Sequence, residues 1–172
     1  SQSGTQSKYG AYSLYCETTA NVGVEGFYGP GTGTNGIAVS STTDYTLSAW
    51  VRTSYATTQL FITWYAAGGA SISTDTQAIT ASVGTWVKHT LTAESPATAA
   101  FAAVGILEAV GTATPISWFT DAVNFVQASA DTTNIDGDQP GCEWNGAAHA
   151  STSTRSAMSR GGGTVTDFED LN

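Results

Sequence analysis

Charge is scarce in this sequence. Only 11% of its 172 residues are charged, and cations are the scarcer sign, 5 Lys and Arg standing against 14 Asp and Glu for a formal net charge of -9. A surface so short of cations repels a phosphate backbone, so nucleic acid is not an expected partner. Long apolar runs are also missing. No stretch approaches the roughly 18 consecutive apolar residues of a membrane span, and no basic amphipathic segment points to surface attachment, so no membrane insertion is expected.

Catalytic signatures are equally thin. The two histidines, His89 and His149, have no zinc-ligand spacing. No Gly-x-Ser-x-Gly elbow is present, and most acids lie in loops or in the C-terminal part rather than as a pair facing across a cleft. The expectation is a protein that is not an enzyme. The two cysteines, Cys16 and Cys142, leave the question of a disulfide open, because sequence separation does not give distance in space. Ser1 in first place, with no signal-peptide pattern after it, reads as a processed or partial chain.

What the sequence does have is Thr, Ser, Ala and Gly, a composition that favours strands and turns. Strand-length runs rich in Val, Ile, Thr and aromatics occupy 11–18, 22–28, 37–40, 44–53, 59–67, 70–80, 85–92, 99–107 and 116–126, separated by Gly, Pro, Asn and Asp. About nine short strands at regular spacing indicate an all-β sandwich or barrel. In the run Tyr45-Thr46-Leu47-Ser48-Ala49-Trp50-Val51-Arg52, alternation puts Tyr45, Leu47, Ala49 and Val51 on a core face and Ser48, Trp50 and Arg52 on the other. Leu60 to Tyr65 is apolar on both faces, as in a central strand. After about residue 128 apolar periodicity stops, giving two expected parts: a sandwich over 1–128 and an extended tail with little regular structure over 129–172, ordered against a partner or the sandwich.

Three segments carry a resemblance: Tyr45 to Arg52, Gly84-Thr85-Trp86, and Phe119-Thr120-Asp121-Ala122-Val123-Asn124-Phe125. With the small-residue stretch between them they resemble carbohydrate-binding modules of the family 4, 9 and 22 type, over about residues 9–126. The resemblance implies a jelly-roll β-sandwich. The tail segment Ile135 to Gly146, followed by Ala148 to Ser153, resembles a segment found after such sandwiches in minor tail proteins of actinobacterial phages. That implies a virion structural protein at the phage tail, with other tail proteins as partners, a homo-oligomeric assembly, and a jelly roll that contacts host cell-surface carbohydrate. The alternatives are a carbohydrate-binding module of a secreted polysaccharide-degrading enzyme, and a sandwich with no ligand. The N-terminal strand with which these modules usually begin is not seen, so the first strand is expected to be missing.

A sandwich reads sugars with flat aromatic faces flanked by hydrogen-bonding groups. Trp50 and Arg52 share a non-core face. Phe61, Thr63 and Tyr65 continue it if Ile62 and Trp64 point inward, and Trp118 joins from the last strand. The competing reading is that these aromatics cover the sheet against a subunit or the tail. Trp86, after a turn, is expected to close the end of the core. The resemblance also implies a structural calcium ion held by Asp121 with help from Glu17, whereas Asp136-Gly137-Asp138 reads as a turn rather than a calcium loop.

Overall fold

The computed structural model describes residues 1–9, 11–19, 25–109, 114–131, 142–144 and 153–155. The chain divides into two units, Ser1–Thr132 and Thr133–Asn172. In the second unit a two-stranded antiparallel pair is described, β11 (Cys142–Trp144) with β12 (Ser153–Arg155). The expectations for Asp136-Gly137-Asp138, for His149 and for the side chain of Cys142 lie outside the described residues.

The first unit is a jelly-roll β-sandwich of two antiparallel sheets. Its strands are β1 (Gln2–Ser3), β2 (Ser13–Glu17), β3 (Gly26–Gly29), β4 (Ile37–Ala38), β5 (Asp44–Thr53), β6 (Thr58–Ala66), β7 (Ser71–Ala78), β8 (Val87–Glu94), β9 (Ala99–Glu108) and β10 (Ser117–Val126). One sheet runs β1-β2-β10-β5-β8, and the other runs β3-β9-β6-β7 with β4 also on β9. We call them the first and second sheets. From β4 onward every connection but one passes between sheets. The exception is the β6–β7 hairpin, turned by Gly68 and Gly69, where the Ala66 N–H donates to the Ala70 carbonyl at 2.8 Å. A short strand at the N-terminus does pair in the first sheet, since β1 lies along β2 and the terminal amine donates to the Tyr15 carbonyl at 2.8 Å.

Period-2 alternation explains the core. Tyr45, Leu47, Ala49 and Val51 of β5 face inward as expected, and meet Leu60, Ile62 and Trp64 of β6 and Ala102, Val104 and Ile106 of β9. Burying such side chains contributes roughly 1.5–3 kcal/mol each and is the main force closing the sandwich. The fully buried Trp64 keeps its indole satisfied by donating to Asp75 at 2.6 Å. Tyr45 stacks on Phe125 at 5.2 Å between ring centroids and donates no orphan to the core, because its hydroxyl accepts from the Ser40 N–H at 2.8 Å.

One inward position breaks the pattern. Glu108, opposite Thr58, is wholly buried and neither carboxylate oxygen has a hydrogen-bond partner.

Candidate functional site

The two sheets present two outward faces, and the pairing register decides which side chains share each. Directly opposed residues of an antiparallel pair point to the same side. On the first sheet, one outward row is Lys88, Trp50 and Asp121, and the next is Arg52, Phe119 and Tyr15. On the second sheet, one outward row is Tyr28, Gly105, Phe61 and Thr76, and another is Phe101, Tyr65 and Ser71.

Trp50 is not open. The segment after β1 crosses its row, with the Lys8 ammonium 4.1 Å from the Trp50 ring centroid and the Tyr9 ring edge-on to it at 6.2 Å. Asp121 anchors this strap. One carboxylate oxygen accepts from the backbone N–H groups of Lys8 at 2.8 Å and Tyr9 at 3.0 Å, and the other from that of Ala122 at 2.7 Å. Farther along the same face Thr46 donates to the Ala128 carbonyl at 2.8 Å and Lys88 pairs with Asp131, so the chain beyond β10 covers that end.

Asp121 and Glu17 do not converge. Glu17 lies opposite Ser117, four residues from Asp121 along β10 or roughly 13 Å, and accepts from the Tyr15 hydroxyl, which raises that phenol above its ordinary value. A carboxylate ringed by N–H donors faces positive dipoles rather than a cation. The calcium arrangement expected from the resemblance therefore does not fit these two residues, and among the described residues no group of three or more His, Cys, Asp or Glu is placed to hold a metal ion. Cys16 carries a free thiol, and burial pushes its pKa up, away from the reactive thiolate.

Trp118 requires a correction. Expected beside Trp50, it is instead fully buried in the core, opposite Thr53 and Cys16. The cause is a bulge between Asp121 and Asn124, with Ala122 at φ 47°. Trp118 and Thr120 face inward before it and Phe125 after it, so alternate residues along β10 do not keep to one face. Tyr65 is also displaced from expectation. Ile62 and Trp64 do point inward, but β6 belongs to the second sheet, so Tyr65 looks out from the opposite side of the sandwich to Trp50.

The second sheet's outward face also carries aromatic surface. Tyr28 is 57% exposed, Tyr65 and Phe101 are half-buried, and Phe61, 7% exposed, forms a floor beside Gly105. Gly105 is required there, since a Cβ would stand 2.0 Å from the Phe27 carbonyl oxygen. Its missing side chain separates Tyr28 from Phe61 by two strand spacings, roughly 10 Å. Thr63 and Thr74 share a hydroxyl–hydroxyl hydrogen bond at 2.9 Å on this surface, and none of its paired strand residues is charged. Flat rings flanked by hydroxyls and amides suit the apolar faces and hydroxyl rims of neutral sugars.

Solved structures share this architecture. Family 16 Carbohydrate Binding Module-2 matches with a TM-score of 0.52 at 10% identity, over 73% of this chain and 83% of that one. The CBM22-1 xylan-binding domain from Paenibacillus barcinonensis Xyn10C matches with 0.51 at 13% identity, over 76% and 81%. The enzymatically active domain of bacteriophage CBA120 tailspike protein 4 matches with 0.52 at 15% identity, over 73% of this chain and 18% of that one. The fold is that of a carbohydrate-binding module. No family model and no curated protein sequence matches the chain.

Two residues of the sandwich's outward faces were not singled out from the sequence. Tyr28 sits at the end of a four-residue strand before a Gly-rich loop, and only its alternation with Phe27 signals an outward side chain. Phe119 points outward opposite Arg52 and Tyr15; alternation sets it against Trp118 but does not say which of the two faces out.

Proposed function

We propose that the chain is a non-catalytic glycan-binding module that takes a neutral polysaccharide across the outward face of the second sheet, and that it serves as a structural part of a phage tail contacting host surface carbohydrate. The observation that carries the binding reading is the uncharged aromatic face of Tyr28, Tyr65 and Phe101 over the Phe61–Gly105 floor. The fold shared with carbohydrate-binding modules supports it, and a neutral polymer is the class for which a face without ion pairs is suited. The tail-protein reading is supported by the resemblance of the segment after the sandwich and by the tailspike domain among the structural neighbours. Virion partners, homo-oligomeric assembly and virion location belong to that reading.

The alternative, a module of a secreted polysaccharide-degrading enzyme, is favoured equally by the xylan-binding neighbour. Binding is tested with a panel of cell-wall and plant polysaccharides against the wild type, Tyr28→Ala, Tyr65→Ala and Trp50→Ala. Saturable binding weakened about tenfold or more by either tyrosine change, and untouched by Trp50→Ala, supports the face; no binding, or loss only with Trp50→Ala, refutes it. Location is tested by tracking the chain in purified tailed-phage particles. Absence from particles, with a proteolytic fragment lacking everything after about residue 128 that binds undiminished, gives the enzyme-module reading.

A further inference from the structure

Arg52 stands apart from Lys8 and Lys88. Lys8 lies over Trp50 and Lys88 pairs with Asp131, whereas the Arg52 guanidinium has no ion-pair or hydrogen-bond partner among the described residues. In a chain of net charge -9, with acids in excess, an unpaired guanidinium that is half-buried is not explained by solubility. It borders a cavity of about 420 Å³ formed where the β5–β6 connection, the β7–β8 connection and the N-terminal strap meet on the first sheet. That volume lies within the range of small-ligand sites.

The lining is chemically mixed in a particular way. Phe119, opposite Arg52 on the neighbouring strand, and Tyr55, 38% exposed, supply ring surface. Gln6, Ser54 and Ser117 supply an amide and two hydroxyls. The β7–β8 backbone passes beside the guanidinium at Gly84, φ 76°, where an added Cβ would come 4.0 Å from it. A second cavity of about 330 Å³, lined by Ser1, Gln2 and Tyr15 among others, shares Thr5 and Phe119 with the first and extends it along the strap.

We propose that this trough is a second ligand site, on the opposite sheet from the Tyr28 face, for a sugar bearing a carboxylate: a hexuronate residue of an acidic glycan. The planar guanidinium fork matches a carboxylate with two parallel N–H donors. Phe119 and Tyr55 take the apolar face of the pyranose, and the amide and hydroxyls take its hydroxyl groups. The contrast with the uncharged second sheet divides the labour, neutral polymer on one side and acidic residue on the other. The inference stands on Arg52 and its cavity and does not depend on the Tyr28 face.

The test is titration of the full chain with methyl β-D-glucuronide, methyl β-D-glucoside and inorganic phosphate, followed by amide and aromatic NMR shifts and by calorimetry. The expected result is saturable uronide binding that moves Arg52, Ser54 and Phe119 signals. Arg52→Gln weakens it about tenfold or more, Arg52→Lys weakens it less, and Tyr28→Ala leaves it unchanged. The glucoside binds distinctly more weakly. Unchanged affinity in folded Arg52→Gln, shifts confined to the Tyr28 face, or no uronide binding at millimolar concentration overturns the proposal. Phosphate binding as tightly as the uronide also overturns it, by showing a site for any anion. Since the shift mapping uses the wild type, a misfolded variant does not remove the test.

Discussion

Trp118 offers the sharpest test of the register, because two placements of one residue make opposite stability predictions. Fully buried in the core, its truncation to Ala should remove the transfer energy of a large ring and leave a cavity, about 3–5 kcal/mol in all. Trp50, on the outward face, loses less when truncated: the Lys8 contact at 4.1 Å contributes about 0.5–1 kcal/mol, and the edge contact with Tyr9 a similar amount. The gap between Trp118→Ala and Trp50→Ala should therefore be roughly 2 kcal/mol or more. A third variant separates packing from hydrogen bonding. The Trp118 indole N–H is buried without a partner, so Trp118→Phe removes an unsatisfied donor whose desolvation costs about 1–3 kcal/mol. The smaller ring leaves a residual cavity on the order of 40 Å³, about 1 kcal/mol. The two effects oppose each other, and Trp118→Phe should cost much less than Trp118→Ala. Urea unfolding followed by circular dichroism measures all three. A Trp118→Ala loss no larger than that of Trp50→Ala would refute the inward placement, and with it the bulge that sets the register of β10.

Asp121→Ala leaves three backbone N–H groups without their acceptor and should cost about 1–3 kcal/mol while making Trp50 more open to acrylamide quenching; unchanged quenching would show that the strap is held by other contacts. Gly105→Ala forces a Cβ against the Phe27 carbonyl, so β3 must move; polysaccharide binding at Tyr28 should fall, uronide binding at Arg52 should persist, and equal loss of both would mean general unfolding. Glu108→Leu replaces a buried carboxylate that has no partner and should raise the midpoint of thermal unfolding; a lowered midpoint would mean the carboxylate is held in place. His89 faces inward opposite Ala49, and burial depresses its pKa below 6.5. The unfolded chain then takes up the proton first, so the His89 contribution is present above about pH 6.5 and is lost as pH falls through the lower folded value. His89→Gln should flatten the stability profile between pH 7 and pH 5, and parallel profiles would assign the acid sensitivity to other groups.

The sequence by itself determined nine of the ten described sandwich strands and their type, because composition and periodicity are local. All nine expected strands of the sandwich occur, and β5 keeps the bounds 44–53. Its core face was legible as well, since Tyr45, Leu47, Ala49 and Val51 alternate with Thr46, Ser48 and Arg52, and an uninterrupted period of 2 admits one inward set. The jelly-roll class followed from that count and from the family resemblance. The dipeptide pairing of β1 with β2 was too short to leave a pattern.

Only the tertiary structure decided which side chains meet. Both alternating sets of β10 contain aromatics and small residues, so its pattern does not choose a face, and the bulge at Ala122 changes phase midway. Tyr65 and Trp50 read as neighbours because β5 and β6 follow each other in the chain, yet that connection passes between sheets and puts them on opposite sides. The covering of Trp50 by Lys8 and Tyr9, and the freedom of Arg52 one row away, depend on where a strap more than 40 residues distant in sequence comes to rest. Alternation along one strand fixes a side chain's direction relative to its neighbours, whereas the partner across the sheet is set by long-range register, which no local pattern encodes.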